Sequence, residues 1–117
     1  MFVIVPIENG TMPDGSVVKY DATLQKWNLA TTDSKPVGVL EETIGDDTDG
    51  WFGRVIFAGT CFAKASRTIP DEGGWLEVEN GKVFVDATSA EANGIIAPLP
   101  RGQATRVTDD LVMVHLR

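Results

Sequence analysis

An all-β fold is what this sequence predicts: a compact small β-barrel or β-sandwich with an extended N-terminal arm and at most one short helical turn. Three observations predict it. A module is written twice, Asp14-Gly15-Ser16-Val17-Val18-Lys19-Tyr20, Trp27-Asn28-Leu29-Ala30-Thr31-Thr32 and Val37-Gly38-Val39-Leu40 answering Glu72-Gly73-Gly74-Trp75-Leu76-Glu77-Val78, Phe84-Val85-Asp86-Ala87-Thr88-Ser89 and Gly94-Ile95-Ile96. Apolar and polar residues alternate over short runs, the period of a half-buried strand. Twelve Gly and six Pro punctuate those runs, as many turns require. Residues 1–12 form the arm and residues 13–117 a single β domain, within which residues 14–40 and 72–96 are two related β units. The two segments share few identities, and any all-β chain places Gly at its turns. Internal duplication and a pair of ordinary hairpin-rich segments therefore both remain open.

Phe2-Val3-Ile4-Val5-Pro6-Ile7 is β-branched and aromatic, an arm or first strand. Pro6 lacks an N–H and so confines the segment to a sheet edge or to a partner's surface. Asn9-Gly10 and Pro13-Asp14-Gly15 are turns, because Pro presets φ while Gly accepts a positive one. Ser16 to Tyr20 is a strand, Gln25 to Ala30 its hairpin mate, and Val37 to Glu41 a further short strand. Gly45-Asp46-Asp47-Thr48-Asp49-Gly50 is the most acidic stretch and is expected to be an exposed, mobile loop. Trp51 to Ala65 is the longest strand candidate, with a bulge or bend expected at Gly53 and Gly59. Trp75 to Glu79 and Lys82 to Asp86 flank Asn80-Gly81, the preferred type I′ hairpin signal, since both central residues need positive φ. Thr88-Ser89-Ala90-Glu91 has capping-box spacing, which places the helical turn at residues 89–93. Asp110 to Leu116 closes the chain as a strand.

At 117 residues the chain is long enough for one core that buries roughly two-thirds of its unfolded surface. A net charge of −7 without any basic run opposes a nucleic-acid role, because phosphate binding needs clustered Lys and Arg. Arg54, Lys64 and Arg67 are expected to be solvated edge charges. The single cysteine, Cys61, lies in the apolar run Val55 to Ala63 and is expected to be a buried small hydrophobe, which suits a reducing cytoplasm. The amino end lacks a basic leader and is too short for a signal peptide or a membrane span.

No grouping of residues carries reactive chemistry, so the chain is expected to be no enzyme and to need no cofactor or metal. The acidic loop fails the helix-flanked calcium template: with Gly50 sixth, Gly45 falls first and Ile56 last, and neither ligates. Asp46, Asp47 and Asp49 leave a looser site open. His115 is the sole imidazole and stands in no nucleophile-elbow context, and one Cys with one His cannot complete a tetrahedral zinc site without two carboxylates. Glu41-Glu42 and Asp109-Asp110 are adjacent pairs whose members point to opposite strand faces, so neither pair flanks a sugar. Trp27, Trp51 and Trp75 are expected in the core. Trp51-Phe52, adjacent on a strand, sends one ring to each face, so one is left for a partner.

The series Gly15 to Asp21, Trp27 to Thr31 and Val37 to Leu40, with the Gly-containing strand Val55 to Ala63 and Gly73-Gly74-Trp75, resembles the small capsid decoration (cement) proteins of tailed bacteriophages. The resemblance covers most of the chain and rests on a pattern of turns and strands. It implies a β-rich homotrimer, assembled in the host cytoplasm, that binds the major capsid protein on the virion exterior and braces the expanded shell. It carries over no catalytic residue. Phe2, Val3, Ile4, Val5, Ile7, Trp51 and Phe52 are the residues expected at the capsid or subunit contact. A tail, baseplate or adaptor β module and a carbohydrate-binding β module are the alternatives.

Overall fold

Ten strands and no helix make up the described residues, 1–31, 37–68, 74–85, 95–97 and 109–116, of the computed structural model. They are β1 (Phe2–Pro6), β2 (Val17–Asp21), β3 (Lys26–Leu29), β4 (Val37–Asp46), β5 (Gly50–Ile56), β6 (Gly59–Lys64), β7 (Gly74–Glu79), β8 (Lys82–Val85), β9 (Ile95–Ala97) and β10 (Leu111–Leu116). The all-β expectation holds, as two packed five-stranded antiparallel sheets rather than a closed barrel. The helical turn expected at residues 89–93 lies outside the described residues.

The strand orders are β1-β5-β4-β2-β3 and β6-β10-β9-β7-β8, one order repeated five strands later. Registers repeat as well. Val3 and Val5 face Val55 and Gly53 as Cys61 and Ala63 face Val114 and Val112. Each sheet rolls until its outermost strands meet through one parallel bridge, Ile7↔Trp27 in the first and Ala65↔Val83 in the second. The adjoining amide adds one bond beside each bridge in the same way: Glu8 N–H donates to Trp27 O at 2.9 Å, and Ser66 N–H to Val83 O at 2.8 Å. The register sets Trp27 against Val83, one residue away from the Phe84 that the sequence module aligns with it. The first hairpin loop, between the paired residues Tyr20 and Trp27, is longer than the second, between Val78 and Val83.

Alternation puts Ile7, Val18, Leu40 and Val55 inside the first roll, with Met12 below them and Val5, Trp27, Leu29, Trp51 and Phe57 packed around. The second core holds Ala63, Ala65, Leu76, Val78, Val83, Val112, Val114 and Leu116, and it also takes Val17, Ala30 and Val39 from the first sheet. Val17 and Val39 face each other on the outer side of that sheet. The two sheets thus share an apolar interior. Backbone bonds tie them further: Lys64 N–H to Gly15 O, Val17 N–H to Gly81 O and Gly81 N–H to Ala30 O, at 2.9, 2.7 and 2.8 Å.

Several expectations are corrected. Of the two readings of residues 2–6, the first strand holds and the free arm does not: they pair along their length with β5, at the sheet edge that Pro6 implies. β4 runs on to Asp46, so the acidic stretch is only the tight turn of the β4–β5 hairpin. Asp46 Oδ1 accepts the Thr48 and Asp49 amides, and Asp47 Oδ1 accepts Trp51 Nε1–H at 2.9 Å. The long strand from Trp51 breaks after Ile56, because Phe57 and Ala58 leave the ladder and Gly59 takes a φ of 92°. The bulge lies between Leu40 and Glu42, not at Gly53. The Asn80-Gly81 hairpin, by contrast, is as expected: both residues have positive φ, 47° and 78°, as a type I′ turn demands.

Candidate interaction surface

Along β1, side chains alternate between the core and the outside, and that alternation divides the expected contact residues. Ile7 is 1% exposed and belongs to the first core, so it is unavailable to a partner. Val5 and Trp51 are half-buried against the same core. Phe2 and Ile4, 52% and 55% exposed, point outward, as does Phe52. Val3 shares the inward side with Val5, yet near the strand's start it is left exposed.

Cross-strand register arranges the outward residues in rows. Pro6, Phe52 and Ile44 form one row across β1, β5 and β4, and Ile4, Arg54 and Glu42 the next. Phe2 and Ile56 begin a third, where Ile56 passes under the second core. Arg54 is more than a solvated edge charge. Its guanidinium lies 3.3 Å from Glu42 and 3.5 Å from Glu41, and stands over the Phe2 ring at 4.9 Å. Such a half-exposed network contributes little stability. Ile44 lies beyond the strand the sequence predicts, which stops at Glu41. The alternation Glu42-Thr43-Ile44 was the available signal.

A second surface lies where the two sheets join. A cleft of about 350 Å³ is lined by Val39, Leu40 and Ile56 of the first sheet and Cys61, Phe62 and Leu111 of the second, with Asp14 and Glu41 among its polar residues. Phe62 and Leu111 are strongly exposed, 54% and 48%. Burial, and secondarily Glu41, pushes the Cys61 thiol up to about 11, so it stays protonated at neutral pH and is a poor nucleophile. His115 stands exposed on β10 with Nδ1 3.4 Å from Thr60 Oγ1. It does not line the cleft. Elsewhere, Arg67 donates to both carboxylate oxygens of Glu79 and stacks on Phe84 at 4.1 Å, while Lys82 reaches Asp109 at 2.5 Å. Hydrogen bonds from those cations hold the Glu79 and Asp109 carboxyls below their usual range. Among the described residues no three of His, Cys, Asp and Glu are grouped to hold a metal ion.

Compared with known proteins, the chain matches no family model, no curated protein and no solved structure.

Proposed function

We propose that this chain is a virion structural protein, a homotrimer that binds the major capsid protein on the outside of an icosahedral phage shell and stabilises the expanded state. The observation that carries this reading is the apolar outer face of β1, β5 and β4, where Phe2, Ile4, Ile44 and Phe52 stand exposed on one sheet. Exposed apolar side chains gathered on one face mark a protein contact. The turn-and-strand resemblance to decoration proteins and the net charge of −7, which repels packaged nucleic acid, point the same way. A protonated thiol and a solvent-facing imidazole favour docking over chemistry.

The mechanism is mass action: a ligand that binds the assembled shell and not its free subunits shifts the equilibrium toward assembly. Three linked copies would add avidity without new contacts at each site.

Removing residues 1–7 would strip β5 of its partner and Ile7 from the core, so binding is tested with surface substitutions instead. Purified expanded capsids are mixed with the wild-type protein, with Ile4→Glu and with Phe52→Glu, after circular dichroism has shown each variant folded. Wild type is expected to co-sediment as trimers, and each variant to bind at least about tenfold more weakly, a loss of ~1.4 kcal/mol. Wild-type protein that leaves the capsids bare, or label found on tails instead, would overturn the proposal.

A further inference from the structure

The cleft between the sheets is bordered by β6, an edge strand with no second ladder among the described residues. Ala65 N–H donates to Asp110 O, which fixes the antiparallel alternation along β6: Ala63, Cys61 and Gly59 bond to β10, while Lys64, Phe62 and Thr60 turn their backbone groups to the open side. Lys64 N–H is taken by Gly15 O at 2.9 Å, and Gly15 N–H in turn donates to Leu40 O at 2.7 Å. Gly15 is therefore the first rung of a slot between β6 and β4. Beyond it, the amides and carbonyls of Phe62 and Thr60 have no backbone partner among the described residues, and both residues line the cleft.

The walls choose the side chains. Val39, Leu40, Ile56, Cys61, Phe62 and Leu111 supply apolar surface for an anchor. Asp14 and Glu41 are the charged residues lining it, both carboxylates. Arg54 is shared between Glu41 and Glu42, which leaves one negative charge over in that trio, and Lys64 acts on Asp109. We infer that this cleft binds an extended peptide segment of a partner protein by strand addition to β6, seating an apolar side chain inside and a Lys or Arg against Asp14 and Glu41. Backbone bonds to Phe62 and Thr60 supply affinity, and the apolar and basic side chains supply selection. The inference does not rest on the capsid reading, since the slot is a property of this chain alone.

The probe is a capped heptapeptide of alternating valine and lysine, titrated into the isotope-labelled full chain and followed by amide chemical shifts. Saturable shifts are expected at Thr60, Cys61, Phe62 and Leu111. Replacing the lysines by glutamates, or N-methylating the amides that face β6, is expected to weaken binding at least about tenfold, and so is Glu41→Lys in the protein. Because the first two changes are made in the peptide, the protein's folding is not at issue. No saturable shift at Thr60 and Phe62 up to millimolar peptide would overturn the proposal. So would equal binding of the N-methylated peptide, which would show apolar adhesion without strand addition.

Discussion

Gly53 has no side chain for a reason that lies on the two strands beside it. A Cβ built on it would stand 2.6 Å from Leu40 Cδ1 and 2.9 Å from Ile7 Cγ2, so the flanking strands can close over β5 only because nothing projects there. Gly53→Ala is accordingly expected to lower stability by about 1–3 kcal/mol through overpacking, read as a fall in urea midpoint with an unchanged m-value. A neutral result would mean that Ile7 and Leu40 move aside freely. The sequence marks the glycine but ascribes to it a bulge, because the partner that crowds it, Ile7, is distant in the chain. Trp51 and Phe52 are the opposite case. Adjacent residues on a strand must face opposite ways, so the split between a core-facing and an outward ring was legible from the sequence alone, although which ring lies outside depends on what covers each face.

At the scale of elements, the hairpin of β7 and β8 does more than turn. Its Gly81 carbonyl accepts Val17 N–H and its amide donates to Ala30, so the turn is also the clamp that fastens the second sheet to the first. Gly81→Ala would meet a φ of 78° and the Leu29 side chain 2.7 Å from the new methyl. The left-handed conformation alone costs about 1–2 kcal/mol. Loss of that size or more in thermal denaturation is expected, accompanied by faster amide exchange at Val17, and exchange unchanged at Val17 would sever the turn from the clamp. Asn80-Gly81 was readable because turn chemistry is local. β4 was not, since Gly45 and the acidic residues look like a loop, and only pairing with β5 draws Glu42, Thr43 and Ile44 into the ladder.

On the scale of the whole molecule, the shared core predicts one folding unit despite two sheets. Val17, Ala30 and Val39 of the first sheet sit among Leu76, Val78 and Val114 of the second. Leu76→Ala is expected to cost about 2–5 kcal/mol. In a Trp75→Phe background, where Trp27 and Trp51 report the first sheet alone, their fluorescence transition should fall together with the global one. A first sheet that melted at its old temperature would divide the molecule in two. The doubled architecture was half legible. The registers repeat, whereas Ile7 with Ala65, and Val3 with Cys61, hold equivalent places without any identity to reveal them, because an inward position asks only for apolar volume. That equivalence has a last consequence, for growth. The Lys64 amide, which donates to Gly15 O, is the joint by which one unit grips the other, and a head-to-tail filament would need the same joint at the front of every molecule. There, at the matching place on β1, stands Pro6, an imino acid with no hydrogen to give. The leading edge of β1 therefore lacks the donor that this joint uses, and a second molecule could not be gripped there by the same bond.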